Sequence, residues 1–296
     1  MNFRDLEGKT VWIYVLIIGF LASNSSAQSP DIFRLEYMLM PKNKADVKLS
    51  RFKLVANVPI KVHKKDNIIL GGEYNYLSQE FSTELSLDND RLKTLHVIDL
   101  NMAYVYRHNE DWRFIGVGTP RLSSTLTNKL VNGDLSVNVT IGAFKDQQHI
   151  DKPVRLVLGI TYNSTVALRV PLPIVYFEKK FHESWTYVIG VPKLGLKYHF
   201  KDNHMIQTEL ILDGYFVNLQ NNLVLPDTAI ASSISTSAAL FTIGYQYNVT
   251  KSMSFYGYAG HTLFQEGVLR DTNRNDIFTL NDKPSFYFRT GFRIGI

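Results

Sequence analysis

Residues 286–296 read FYFRTGFRIGI and alternate between two kinds of side chain. The even positions are apolar apart from one threonine, whereas the odd positions carry tyrosine, glycine, Arg289 and Arg293. Successive side chains of a β-strand point to opposite faces, so this period of two predicts a strand with one apolar and one polar face. Soluble domains seldom end in such a strand, which makes the segment the first indication of the fold.

The same alternation recurs along the chain. Residues 154–170 read VRLVLGITYNSTVALRV, with apolar or small side chains at every even position and Arg155 and Arg169 among the odd ones. Similar patterns cover residues 51–62, 68–76, 98–107, 135–143 and 241–247. Globular strands have about 5 to 6 residues, whereas tilted membrane-spanning strands need roughly 9 to 11 in the hydrocarbon. Alternation alone is compatible with a soluble sandwich or barrel, but the lengths favour a membrane barrel.

Composition excludes several classes of protein. The chain has 296 residues, a net charge of +5, 45% hydrophobic residues and no cysteine, which excludes a disordered chain and a disulfide scaffold. Beyond the N-terminus no apolar run approaches the ~20 residues of a membrane-spanning helix. Basic residues are scattered singly among acidic ones, so we expect no nucleic-acid partner.

The N-terminus has the layout of a secretory signal peptide. Arg4 and Lys9 precede the apolar residues 11–21, and small polar residues follow up to Ala27. A membrane anchor is the alternative, but the apolar run is short for a bilayer. We therefore expect residues 1–27 to be removed and residues 28–296 to form the mature barrel.

Two further features favour an outer-membrane barrel over a soluble one. Short polar connections are expected at residues 62–67, 107–112, 145–153, 200–204 and 248–252, and long ones at residues 81–91, 120–133, 171–184, 217–235 and 264–284. Short turns opposite long loops are typical of such barrels. Aromatic pairs at strand ends, such as Tyr104 and Tyr106, predict a girdle at the lipid headgroups, with core aromatics of a soluble β-domain as the alternative.

The terminal alternation closely resembles the last strand of bacterial outer-membrane β-barrels, although Ile296 departs from the usual terminal Phe or Trp. Residues 170–174 (VPLPI), Trp185 and residues 191–193 (VPK) also resemble an uncharacterised family of porin-like barrels, a domain of unknown function. The resemblance implies the outer membrane of a Gram-negative-type bacterium. It also implies membrane lipid and the barrel-assembly machinery, acting through the C-terminal strand, as partners.

The expected fold class is all-β, a transmembrane up-and-down antiparallel β-barrel of about twelve strands. The predicted strands are residues 31–40, 47–62, 67–80, 92–107, 112–120, 134–145, 153–170, 185–200, 204–217, 236–248, 252–264 and 284–296. A bulge at Pro192-Lys193 is our interpretation of the change of apolar face within residues 185–200. The alternative makes residues 166–176 a separate strand and gives fourteen.

Signals of catalysis are weak, and we expect no cofactor, no metal and no enzyme activity. His182 and Ser184 resemble the His-x-Ser pair of outer-membrane phospholipases, which keeps a lipid-active enzyme as an alternative. Residues 271–276 place oxygen-bearing side chains as a calcium loop does, but Asp276 stands where an EF-hand needs glycine, so a polar loop is the better interpretation.

The polar strand faces predict a charged lumen. Its basic candidates are Arg51, Lys53, Lys61, Arg107, Arg155, Arg169, Lys197, Arg289 and Arg293, and its acidic candidates are Glu73, Asp99, Glu209 and Asp213. Passive passage of small solutes, or recognition by external loops, is the expected function, and the surplus of basic groups predicts a modest anion preference. A structural barrel with a filled lumen is a further alternative.

Overall fold

The computed structural model describes residues 31–81, 89–163 and 171–295. The expected signal peptide, residues 1–27, and the lumen candidate Arg169 lie outside these ranges. No helix in the described part of the chain is long and apolar enough to cross a membrane.

Strands make up nearly all of the described chain. They are β1 (Asp31–Met40), β2 (Lys48–Lys61), β3 (Asp66–Glu80), β4 (Thr94–Arg107), β5 (Trp112–Ser124), β6 (Leu135–Gln147), β7 (Val154–Asn163), β8 (Leu172–His182), β9 (Trp185–Val191), β10 (Lys193–Phe200), β11 (His204–Val224), β12 (Ile230–Asn248), β13 (Met253–Arg270), β14 (Asp276–Asn281) and β15 (Phe286–Gly295). Two short 3-10 helices, Asn89–Leu92 and Asn132–Asp134, lie in the connections after β3 and β5.

Fourteen of these strands close into one antiparallel barrel. Strands β1 to β13 pair in sequence order, β15 lies between β13 and β1, and β14 pairs only with the end of β13. Closure satisfies the backbone groups that an open sheet leaves at its edges. The all-β barrel is therefore confirmed, with the alternative count of fourteen strands.

One additional strand lies in a segment expected as a long loop, residues 171–184, and the other comes from dividing a predicted long strand. The predicted strand of residues 153–170 is described as a strand only up to Asn163, and the partner of β7 is β8, Leu172–His182, rather than residues 166–176. The predicted strand of residues 185–200 is a hairpin, because Val188 pairs with Gly195. The bulge expected at Pro192 is thus wrong. A turn between two strands can shift the apolar positions from odd to even numbers, as a bulge does. Proline is tolerated at such a turn because its missing N–H donor is not needed there.

The barrel has a turn end, which carries Asp31, Gly295 and the five short connections expected from the sequence, and a loop end opposite to it, toward which the turn at Pro192 is directed. The short connections are present as expected. Three segments expected as long loops are instead mostly strand. Residues 171–184 contain β8, and in residues 217–235 and 264–284 β11 continues to Val224, β12 starts at Ile230 and β13 continues to Arg270. The wall of the barrel is consequently tallest at β11, β12 and β13.

The outer face carries an apolar belt. Leu158 is 44% exposed and Ile141 is 59% exposed, and comparable side chains project from the other strands. On β4, the outward residues of this belt between positions 98 and 102 are bounded by His96 and Tyr104. His96 Nδ1 lies 2.9 Å from the Tyr74 hydroxyl. An exposed apolar surface bounded by aromatic rings is what a lipid-facing barrel requires. The fold is that of an outer-membrane β-barrel.

Candidate functional site

The interior is divided at the loop end by a contact between strands that are not neighbours in the barrel. The Thr125 backbone N–H donates to the Asn218 carbonyl oxygen at 3.2 Å, and the Ser123 hydroxyl donates to the Phe216 carbonyl oxygen at 2.5 Å. β5 and β11 therefore meet across the barrel. We call the interior bounded by β11 to β15 and β1 to β4 the packed lobe, and that bounded by β5 to β11 the open lobe.

A buried carboxylate holds this contact together. Asp134 is 1% exposed and accepts hydrogen bonds from the Asn218 amide at 2.8 Å, the Gln220 amide at 2.7 Å and the Val131 backbone N–H at 2.9 Å. Burial disfavours its charged form, but these bonds and one from Ser124 prevail and hold the pKa of Asp134 below its usual value. Asp134 lies in a 3-10 turn without any recurring pattern, so sequence reasoning missed it.

Apolar side chains fill the packed lobe at the loop end. Leu95 on β4 and Ile234 and Leu240 on β12 are fully buried there, in a cluster that draws on β1 to β4 and β11 to β15. Cores of this kind are close-packed and exclude water. The packed lobe is thus closed to solutes at this end.

An ion cluster lies in the same lobe. Arg51 on β2 reaches Asp213 on β11 at 3.1 Å, and Arg289 on β15 reaches Glu209 on β11 at 3.2 Å. Glu36 lies 3.7 Å from Arg51 and 3.9 Å from Arg289, and joins the two pairs. The structure places these four predicted lumen residues inside the barrel and joins them across it, an arrangement that the alternation of single strands does not predict.

Other predicted lumen residues are also held in pairs. These are Lys53 with Glu73 at 2.8 Å, Arg121 with Asp99 at 2.6 Å, Arg155 with Asp146 at 3.2 Å and Lys197 with Glu178 at 2.9 Å. Lys61 and Arg107 are exposed at the turn end. Sequence reasoning missed the acidic partners Glu36, Asp146 and Glu178. They reduce the surplus of positive charge that was expected in the lumen.

The open lobe has a different wall. Apart from Phe144 and Val157, the inner faces of β6 and β7 carry small or polar residues, with the Thr140 and Thr161 hydroxyls 2.8 Å apart and Gly142 opposite Gly159. These residues are half-buried, whereas the inward residues of the packed lobe at the loop end are buried. Short side chains leave space beside the wall, and solvent reaches them.

A cavity of about 670 Å³ lies at the turn end. It is bounded by Asp31, Gly295 and the turns after β10 and β12, and its wall includes Arg155, Lys197 and Arg293. Arg155 lies at the turn end of β7, and the small residues of the open lobe lie further along the same strand.

The candidate chemical sites take part in local hydrogen bonds. His182 Nδ1 accepts the Ser184 backbone N–H at 3.2 Å. The Asp271 carboxylate accepts hydrogen bonds from the backbone N–H groups of Asn273 and Asn275 at 2.8 and 2.9 Å, so residues 271–275 form a hydrogen-bonded turn. No group of three metal-ligating side chains occurs in the described ranges.

Comparison with known proteins gives a family and a fold. The family described as Domain of unknown function (DUF6268) matches residues 40–295. No curated protein matches the chain. Similar solved structures include an outer membrane channel from Pseudomonas putida F1, with 12% identity over 92% of this chain and 99% of that one and a TM-score of 0.42.

Two other solved structures have lower scores. The KdgM porin is 9% identical over 89% of this chain and 98% of its own, with a TM-score of 0.36. LpxR from Salmonella typhimurium is 7% identical over 89% of this chain and 100% of its own, with a TM-score of 0.37. These likenesses concern the fold alone.

Proposed function

This chain belongs to the DUF6268 family, and from that premise we propose that it is an outer-membrane channel of a Gram-negative-type bacterium. In this proposal small polar solutes pass through the open lobe. The observation that carries the proposal is the contrast between the lobes, since Leu240 is fully buried in one while Thr140 and Thr161 are half-buried in the other.

The contrast favours a channel over a structural barrel with a filled lumen. A barrel whose only role is structural gains stability by packing its whole interior, because buried apolar area stabilises the fold. Here the large apolar cluster of the described residues lies on one side of the contact between β5 and β11, and Val188 on β9 is a buried apolar residue on the other side. The small residues of β6 and β7 leave the other side accessible to solvent.

Passage is favoured over recognition by external loops because three segments expected as loops consist mostly of paired strands. The lipid-active alternative has little support, because His182 Nδ1 faces a backbone N–H. A Ser184→Ala variant tests it directly, since a hydrolase of this kind loses phospholipid hydrolysis with the serine hydroxyl.

The proposal includes export through the N-terminal segment. We expect the mature protein to begin at Gln28 or a few residues beyond, since small residues at 25–27 suit a signal peptidase. Mass spectrometry of the protein from isolated envelopes checks this, and an intact Met1 on the exported form contradicts it.

Conductance of the purified barrel in a planar lipid bilayer tests the channel. We expect discrete current steps from the wild type, and smaller or absent steps from Thr161→Trp, whose indole occupies the open lobe. Ile160→Trp is the matched control, because Ile160 is the neighbouring residue on the outer face and is 50% exposed. A silent wild type, or equal conductance in both variants, overturns the proposal.

A further inference from the structure

We infer that the turn-end cavity binds small oxyanions, namely carboxylates or phosphates, at the entrance of the passage. This inference rests on the proposed channel and names the class of solute that it admits. It is carried by the charges that line the cavity and by one arginine that has no acidic partner among the described residues.

Positive charge predominates around the cavity. Five basic and three acidic side chains line it, namely Arg155, Lys180, Lys197, Lys251 and Arg293 against Asp31, Glu178 and Asp202. A concave site lined by one sign of charge concentrates ions of the opposite sign.

Two of these five cations are paired with carboxylates, which leaves Lys180, Lys251 and Arg293 against Asp31 and Asp202. The Glu178 carboxylate lies 2.9 Å from the Lys197 ammonium, which is nearly fully buried, and it also accepts the Tyr176 hydroxyl. Arg155 is directed to Asp146 at 3.2 Å. The acidic groups nearest to the wall are thus already engaged by these two cations.

Arg293 is the informative residue. Its Nε donates to the Ser254 hydroxyl at 3.0 Å and its Nη2 donates to the Gln246 side-chain oxygen Oε1 at 3.0 Å, and both partners are neutral. Within residues 31–81, 89–163 and 171–295 it pairs with no carboxylate. A half-buried cation without a counter-charge is costly, and an anion in the cavity supplies one.

Guanidinium geometry explains the preference for oxyanions. Arginine presents planar N–H donors that match the two oxygens of a carboxylate or phosphate, and such charge-assisted bonds are stronger than neutral ones. The volume of about 670 Å³ falls within the roughly 300–1,000 Å³ of small-molecule sites. The site opens at the turn end, on the side of both Asp31 and Gly295.

Calorimetric titration of the folded barrel in a zwitterionic detergent at low salt tests this site. The probes are inorganic phosphate, succinate and the uncharged succinamide. We expect both anions to bind and succinamide not to bind. Arg293→Gln should weaken anion binding by about tenfold, the effect of one lost charge-assisted contact.

Two further variants keep the test decisive. Lys180→Gln should also weaken binding, and it gives the answer if Arg293→Gln does not fold. Lys64→Gln is the control, because Lys64 is exposed in a turn at the same end and does not line the cavity. Anion affinity unchanged in Arg293→Gln, or equal binding of succinamide, overturns the inference.

The two proposals fail in different ways. Current steps without anion binding overturn the site and leave the channel. Anion binding without current steps overturns the channel and leaves the site. Binding of only one of the two anions narrows the ligand to phosphate or to carboxylate.

Discussion

Leu158 tests the assignment of faces at the scale of one residue. It projects from β7 between Ala143 and Val175 on the neighbouring strands and is 44% exposed. Leu158→Arg should cost roughly 2 to 4 kcal/mol, because it places a charge in the hydrocarbon. Denaturant titration of the barrel in lipid vesicles measures the loss. Thr161→Arg on the inner face of β7 is the control, and an equal loss in both variants contradicts the assignment.

We expect the stability of the contact between β5 and β11 to depend on pH through Asp134. Its pKa is depressed in the folded protein, so its stabilisation is present above the unfolded pKa and is lost as the pH falls through the folded value. Since the unfolded pKa of an aspartate is about 3.9, the loss belongs below about pH 4.

Asp134→Asn isolates this contribution. We expect the variant to melt at a lower temperature than the wild type at neutral pH, because an amide cannot accept all the hydrogen bonds that the carboxylate accepts. The difference should shrink below about pH 4, where the carboxylate of the unfolded chain becomes protonated first and that of the folded protein follows at lower pH. Thermal melting in detergent across this range checks it. A constant difference excludes Asp134 as the titrating group.

Single residues also show the limit of sequence reasoning. Alternation identified Arg51, Glu209 and Arg289 as inward residues, because the face of a residue follows from its odd or even position within its own strand. The partners of an inward residue depend on the closure of the whole barrel. Asp134 meets Asn218 and Gln220 from 84 and 86 residues away, and no pattern within one strand encodes that distance.

At the scale of elements, long uniform strands were predictable and short ones were not. The first strand, predicted as residues 31–40, is Asp31–Met40 in the structure. The hairpin of β9 and β10 was missed because each strand has only 7 or 8 residues and no Asn-Gly or Asp-Gly turn separates them. The extension of β11 to Val224 was missed because the prediction placed apolar residues on the lipid face. In this segment the apolar residues Val217, Leu219 and Leu223 are instead buried in the packed lobe.

The closing strand carries a prediction about assembly. β15 pairs with β1 on one side and β13 on the other, so ending the chain after Gly291 removes the pairs of Phe292 and Ile294 with both strands. The truncated protein should not close. The wild type should resist SDS until boiled, because a closed ladder opens only cooperatively, and the truncation should lose this heat-dependent shift in gel mobility.

A chain that ends at Gly295 is the control, because it keeps every described pair of β15. It should retain the shift in gel mobility and the insertion into membranes. A heat-dependent shift in the shorter chain would show that the other strands close without the last residues of β15.

At the scale of the whole molecule, parity determines which side chains point inward but not what fills the interior. Leu240 and Thr161 are both inward residues, yet the first is fully buried and the second is half-buried. The difference arises because β11 reaches β5 across the barrel and separates the two lobes. The sequence therefore predicts a barrel and its lipid face, while the division of the lumen requires the assembled structure.

The absence of cysteine from the sequence allows the two lobes to be compared directly. A thiol at Thr161→Cys should react in the folded barrel with a charged, water-soluble methanethiosulfonate, because solvent reaches the open lobe. A thiol at Leu240→Cys should react only after boiling in SDS, because the packed lobe excludes water. Ile160→Cys, on the lipid face, controls for reaction through the membrane.

Reagent charge adds a second comparison on the same variants. If the basic wall of the turn-end cavity concentrates anions, a sulfonate reagent should modify Thr161→Cys faster than a trimethylammonium reagent of similar size. Raising the salt to 1 M shortens the Debye length to about 3 Å and should reduce this difference. Equal reactivity at Thr161→Cys and Leu240→Cys in the folded barrel would refute the division of the lumen, whatever the charge of the reagent.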